Sequence, residues 1–281
     1  MEKLCDLHAH STASDGSLTP TQLLQLAEQS GLSAVVLCDH NTVAGLPEFV
    51  EAAKSMTVEA VPAVEFSTEY KGTELHILGL YIKPEHYSAI NGVLDDFKRR
   101  KEQSNLQLLE ALRNAGMALD YERIRNGHSY VNRANIGEEL TRLGYTSSVQ
   151  EAFKTYLSEK HGFYVPPKRP DAYETIRFIK SIGAVAVLAH PFLDLDEAGL
   201  RTFLPEAVKN GLDAMETMYA KYTPEETALA KQLAAEYGIM ESGGSDFHGS
   251  AKPDIALGTG RGELRISQET LEALKKRVET E

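Results

Sequence analysis

The stretch DLHAHSTASDG, residues 6–16, places His8 and His10 one residue apart after a short apolar run, with Asp15 five residues beyond. Side chains at i and i+2 of an extended strand point to the same side. Two imidazoles held that way can close on one cation. The same residue types recur along the chain: His40 in LCDHN, Glu65 in AVEFS, His76 in LHILGLYI, His190 in VLAHP, and Asp246 with His248 in SGGSDFHG. Alone, each has a structural explanation, such as a satisfied core imidazole or a helix-capping carboxylate. Together they take in six of the nine histidines of the chain, and that recurrence points to a metal centre. Imidazole and carboxylate donors without thiolate suit Mn, Zn or Fe rather than a structural cysteine-type zinc site. Nine donors exceed the needs of one ion, and a carboxylate such as Glu65 can bridge two. Two or three divalent ions are therefore expected, a set suited to phosphoester hydrolysis.

Nearly all of these residues lie at or just past the ends of apolar runs that read as buried parallel strands. The runs are residues 4–8, 34–39, 58–66, 75–82, 184–190, 212–218 and 239–246. Helical patterns separate several of them. TPTQLLQLAEQSG carries Thr19 as N-cap, Pro20 at the first helical position, Gln22 completing a capping box and Gly31 as a stop. Thr223, Pro224, Glu226 and Gly238 repeat that design. Strands alternating with helices predict βα units, and ligands at C-terminal strand ends fit a barrel. Only His76 breaks the rule, since it opens its run.

Residues 84–170 read mainly as helices and end in the turn VPPKRP; His86, His128 and His161 lie in or beside them. They hold 13 Lys+Arg and 11 Asp+Glu, against 16 and 30 in the remainder. The whole chain of 281 residues is 42% hydrophobic and 25% charged, ordinary for a soluble globular protein. Its net charge of −12 argues against broad binding to nucleic acid or membrane surfaces. No apolar run spans a membrane and no secretory signal opens the chain, so a cytoplasmic location is expected. Cys5 and Cys38 read as reduced core thiols.

In order along residues 4–82 and 170–260, DLHAHSTASDG, LCDHNTVAG, the glutamate of AVEFS, HILGLYI, VLAHP and SGGSDFHG resemble the motifs of the PHP (polymerase and histidinol phosphatase) family. The resemblance implies an α/β fold, a distorted (β/α)7 TIM-like barrel formed by residues 1–83 and 171–281. A small helical insertion, 84–170, would cap the substrate. It also implies three ligand sets: His8, His10, Glu65 and Asp246; Glu65, His76 and His190; and Asp15, His40 and His248. Asp15, Glu65 and Asp246 are the candidate catalytic carboxylates.

The insertion resembles that of PHP enzymes acting on phosphorylated nucleotides. The expected activity is a metal-dependent phosphatase acting on nucleoside monophosphates or 3′,5′-bisphosphates. Alternatives are a histidinol-phosphate phosphatase, a 5′–3′ exonuclease on short RNA, a metal-dependent amidohydrolase and a non-catalytic metal-binding module. Arg133 in VNRANIG is the expected phosphate clamp, with Lys168 and Arg169 as further candidates. Two positions depart from that subgroup, Asn135 and Tyr222 each standing where a histidine is usual. Both departures touch substrate binding rather than metal binding. No obligate protein partner and no membrane association are expected.

Overall fold

The computed structural model describes residues 3–126 and 131–279; His128 lies outside them. Eight strands form one sheet: β1 (Leu4–Ala9), β2 (Ala34–Leu37), β3 (Glu59–Tyr70), β4 (Thr73–Leu80), β5 (Val185–Leu188), β6 (Ala214–Tyr219), β7 (Met240–Gly244) and β8 (Ile266–Ser267). The strand order is β7-β6-β5-β4-β3-β2-β1-β8. The sheet closes where the chain after β7 runs on beside β1. There the Asp246 N–H donates to the His8 carbonyl and the His10 N–H donates to the Phe247 carbonyl, both at 2.9 Å. The result is a nearly closed eight-stranded barrel with surrounding helices.

Two strands depart from the expected all-parallel seven. β8 is a two-residue strand antiparallel to β1, too short to leave a periodic signal. β4 is antiparallel to both β3 and β5. The cause is the turn between β3 and β4, where Lys71 (φ 49°) and Gly72 (φ 82°) both have positive φ. Positive φ at both central residues makes a tight two-residue hairpin and leaves no length for a helical crossover. The reversal explains His76. In an antiparallel strand the opening residues lie beside the closing residues of the neighbour, and His76 pairs with Ser67 of β3.

The helices begin where their caps predict. Helix α1 (Pro20–Gln29) has Thr19 and Gln22 in a reciprocal capping box. The chain then forms α2 (Leu46–Ala53), α3 (Tyr87–Asn114), α4 (Tyr121–Arg125), α5 (Arg133–Arg142), α6 (Val149–Ala152), α7 (Ala172–Ser181) and α8 (Glu197–Lys209). Helix α9 (Pro224–Tyr237) repeats the box with Thr223 and Glu226, and Gly238 closes it in the left-handed region. Helix α10 (Gln268–Glu279) ends the described chain. Among the described residues no helix is long and apolar enough to cross a membrane.

The chain divides into two compact units, residues 1–91 with 169–281, and residues 92–168. The first has a core of inward-facing strand residues including Leu7, Val36, Val61, Leu78 and Val187, joined by Leu271 and Leu274 of α10. Cys5 and Cys38 are buried in it as free thiols. The second has its own core, with Leu108, Leu112, Ile136, Leu140 and Leu157 at its middle.

One close approach fixes the first histidine. A Cβ added at Gly244 would sit 2.1 Å from the His8 Cβ and 2.7 Å from its backbone nitrogen. Gly244→Ala should therefore destabilise the fold by about 1–3 kcal/mol, the scale of core overpacking, read by denaturant unfolding. Gly92→Ala, with open space around the new methyl, should be neutral or slightly stabilising. Equal stability of both variants would show that the barrel yields at β7 and that Gly244 does not set the position of His8.

Candidate metal centre

Glu65, fully buried on β3, faces five imidazoles. Its Oε1 lies 2.8 Å from His76 Nδ1 and 3.1 Å from His190 Nε2. Its Oε2 lies 3.0 Å from His40 Nδ1 and 3.3 Å from Nε2 of both His8 and His10. The latter two nitrogens are only 3.1 Å apart. Two ring nitrogens that close, both aimed at one carboxylate oxygen, need a cation or a shared proton between them. Asp246 adds Oδ1 at 3.3 Å from His10 Nε2 and 3.3 Å from His248 Nδ1. Asp15 places its carboxylate 3.2 Å from His248 Nε2 and 3.9 Å from His40 Nε2. All nine residues singled out in the sequence thus come together. Three groups have potential ligand atoms within 4.8 Å of one another: His8, Glu65 and His190; His40, Glu65 and His76; and His10, Asp15, His40 and His248. This donor set fits divalent transition metals. Cys38 also reaches His8 and His10 within that distance, but its thiol donates to the Ala9 carbonyl and burial pushes its pKa up to about 12.

The backbone is bent to achieve this. His190 (φ 28°) and Asp246 (φ 57°) both have positive φ without being glycine. Such strain persists where the surroundings over-determine it, and it concentrates at functional sites.

Three buried acids that sequence inspection passed over hold the histidines in place. Glu216 on β6 sets Oε1 2.9 Å from His8 Nδ1 and accepts the His190 backbone N–H on Oε2 at 2.6 Å. A carboxylate on one ring nitrogen fixes the tautomer and aims the other nitrogen. Asp6 accepts the backbone N–H groups of His8, Ser245 and Gly258 and the Ser245 hydroxyl. Asp39 accepts the Ser11 N–H and the hydroxyls of Ser11 and Ser14. Asp6 and Asp39 stand directly beside ligand motifs, in DLHAH and CDHN, and that adjacency was the available signal. Glu216 left one too, a lone acid inside an apolar strand. Asp246 Oδ2 accepts from the Tyr219 hydroxyl at 2.8 Å and from Lys252 Nζ at 2.7 Å.

Burial opposes every charge here, and the neighbours decide the outcome. Burial would raise Glu65, but His40, His76 and His8 hold its pKa well below the usual carboxylate range. Asp246 is likewise depressed against burial, by His10, His8, His248 and Lys252. His10 is driven well below its ordinary value by burial and by the charges of His248 and His40. His76 is lifted to about 10, Glu65 outweighing burial, and His40 is also raised.

The expected substrate-binding residues have other partners. Arg133 lies over the Tyr164 ring, 4.3 Å from its centroid, and donates to the Leu157 carbonyl. Asn135 completes the α5 capping box with Asn132. Lys168 is exposed, and its carbonyl accepts from Arg100. Arg169 donates to Glu74 Oε2 at 2.6 Å, and Glu74 Oε1 lies 3.4 Å from His76 Nε2. The Tyr222 hydroxyl accepts the Phe192 N–H at 3.2 Å.

The model of the PHP domain matches residues 6–158, just over half of the chain. The chain belongs to the PHP family. It is 32% identical to a 5′-3′ exoribonuclease of Haemophilus influenzae, over 88% of this chain and 91% of that one. It is 32% identical to a phosphoribosyl 1,2-cyclic phosphate 1,2-diphosphodiesterase of Eggerthella lenta, over 87% and 94%. It is 26% identical to a 3′,5′-nucleoside bisphosphate phosphatase of Chromobacterium violaceum, over 86% of each. A Bifidobacterium adolescentis structure, described as a presumptive metal-dependent phosphoesterase, superposes with a TM-score of 0.85 at 24% identity, covering 98% of this chain and 96% of the other. This PHP chain is a metal-dependent phosphoesterase, with clusters of His, Asp and Glu able to bind metal.

Two outcomes follow from the geometry. Glu216→Gln keeps the volume but loses the charge on His8 Nδ1, so metal affinity should fall about 10- to 100-fold in competition with a chromophoric chelator. Unaltered affinity would remove Glu216 from the support of His8. The second concerns protons. Imidazoles with raised pKa carry a proton at pH 7 in the metal-free protein, and a ligand must shed it. Metal uptake should therefore release at least one proton, and affinity should rise with pH. Calorimetry in buffers of different ionisation enthalpy reads the release directly, and a value of zero would contradict protonated His76.

Proposed function

We propose that the chain hydrolyses phosphoesters of phosphorylated nucleotides, with 3′,5′-nucleoside bisphosphates and short oligoribonucleotides as its substrate class. The observation that carries this is the convergence of five imidazoles on buried Glu65, with Asp246 and Asp15 beside them. In this reading His8, His10, Glu65 and Asp246 hold one divalent ion. Glu65, His76 and His190 hold a second, and Asp15, His40 and His248 a third. Bound ions of this kind supply an activated water and neutralise phosphoryl oxygens. The chain supplies the positioning. Glu216 presents His8 Nε2 to the centre, and Tyr219 and Lys252 fix Asp246 Oδ2 so that Oδ1 faces the histidines. Glu74, gripped by Arg169, steadies His76. The nucleotide assignment draws support from the names of the relatives, which join a ribonuclease and a nucleotide phosphatase.

The test is a screen of the Mn²⁺-loaded protein against adenosine 3′,5′-bisphosphate, 5′-phosphorylated di- and triribonucleotides, AMP, histidinol phosphate and amide substrates. Efficiency should be highest on the bisphosphate or the short RNA, with at least two metal equivalents per chain. Glu65→Gln should lose metal and lower turnover at least about a hundredfold, the scale of losing a major electrostatic contribution. Best turnover of histidinol phosphate or of an amide would overturn the nucleotide reading.

A further inference from the structure

Each of the five histidines that meet Glu65 has a second ring nitrogen, and its partner differs from one ring to the next. His8 sets Nδ1 2.9 Å from Glu216, and His76 sets Nε2 3.4 Å from Glu74. His40 Nε2 lies 3.9 Å from Asp15. Nδ1 of His10 and Nδ1 of His190 are buried without a hydrogen-bond partner. These last two are not alike. The carboxylate contacts of His10 run through Nε2, whereas His190 Nδ1 has Asp194 Oδ2 in front of it, 3.9 Å away. That gap is too long for a hydrogen bond. The Asp194 carboxylate accepts no hydrogen bond among the described residues.

The sequence puts Asp194 there by a local turn. After His190 (φ 28°), Pro191–Leu193 form a single 3₁₀ turn. The Leu193 N–H donates to the His190 carbonyl at 3.0 Å, and the Asp194 N–H to the Pro191 carbonyl at 3.3 Å. The turn folds residue 194 back beside the ring of residue 190. The tautomer of that ring explains the gap. His190 Nε2 lies 3.1 Å from Glu65 Oε1, and a carboxylate oxygen there requires the ring proton on Nε2. Nδ1 is then a lone pair, which does not approach a carboxylate. Coordination of a metal through Nε2 requires the other tautomer, with one N–H lost at Nε2, one gained at Nδ1 and the ring charge unchanged. Nδ1–H then becomes a donor facing Asp194, and closure by about 1 Å completes a charge-assisted hydrogen bond.

We infer that Asp194 is a positioning residue for His190, which takes the hydrogen bond from Nδ1–H as Nε2 becomes a metal ligand. The inference rests on the assignment of Glu65, His76 and His190 to one ion, and it adds the residue that completes that ion's support. Burial separates this residue from its counterpart at His8. Glu216 has no exposure and already stands at 2.9 Å, whereas the Asp194 side chain is 28% exposed and free to close. A carboxylate on the outward nitrogen of a ligating imidazole fixes its tautomer and raises its affinity for the ion. His8 is therefore set in advance, and His190 is set as it binds.

The test is Zn²⁺ binding to chelator-stripped protein, read by competition with a chromophoric chelator. Asp194→Asn keeps the volume and loses the charge. It should weaken one equivalent of zinc about 10- to 100-fold, the scale of losing such a support, and leave the others within about 2-fold. Asp194→Glu should restore most of the loss, and Glu197→Gln, an exposed acid on α8, should change nothing. The denaturant midpoint of the stripped protein should be the same for wild type and Asp194→Asn, since no hydrogen bond to this carboxylate is lost. ¹⁵N spectra of the imidazoles give an independent readout in the wild type: His190 should carry its proton on Nε2 when stripped and on Nδ1 when loaded with zinc. Wild-type affinity for every equivalent in Asp194→Asn, equal weakening of all of them, or a lower midpoint of the stripped variant would overturn the inference. If the wild type binds fewer than two equivalents, the assignment of ions above fails, and the spectra decide alone: Nδ1–H in the loaded protein upholds the role of Asp194, and Nε2–H overturns it.

Discussion

A carboxylate with no exposure to water, surrounded by five imidazoles, sets the terms for the rest of this molecule. Removing Glu65 from water is costly unless its charge is met at close range. Five ring nitrogens within 3.3 Å meet it, and they come from four separate segments of the chain, His8 and His10 sharing one. No local structure could gather them. The barrel does so because its strand ends converge, and closure between β1 and β7 brings Asp246 and His248 to the same place. The cluster and the barrel are thus one construction: loosening either leaves a buried charge uncompensated.

Such a cluster must be held from behind, and the buried acids show how. Glu216 reaches His8 with one oxygen and the His190 backbone with the other, tying β6 to both β1 and the end of β5. Asp6 binds the backbone at His8, Ser245 and Gly258. It therefore clasps the seam where the sheet closes. Asp39 does the same for the loop that carries Asp15. The positive φ values at His190 and Asp246 are tolerable in this setting, because each residue is fixed by neighbours on several sides.

The nine central residues were legible because strand geometry leaves a mark: a period of two in His8 and His10, and polar residues just past apolar runs. His76 looked like an exception only because a strand's direction is not written in its apolar run. It is written in the two-residue turn Lys71-Gly72, which forces β4 antiparallel and carries His76 to the same rim as the others. Glu216, Asp6 and Asp39 were harder. One acid in a buried strand has the same local pattern whether it caps, pairs or supports a ligand, and only the partner across the fold decides. Arg133 and Asn135 show the reverse problem. Their types suit phosphate, yet the local sequence also suits an N-cap box and a guanidinium over an aromatic ring, and in the structure those contacts are made.

The metal centre itself carries three carboxylates, which repel a phosphate unless cations outweigh them. Divalent ions would reverse the sign at the hydrolysed group but not beyond it. Lys252, 2.7 Å from Asp246, and Arg169, joined to His76 through Glu74, are the cations nearest in the contact network. Each is already engaged with a carboxylate. With both committed, the positive charge that faces a phosphoryl group is left to the divalent ions that the nine donors would bind.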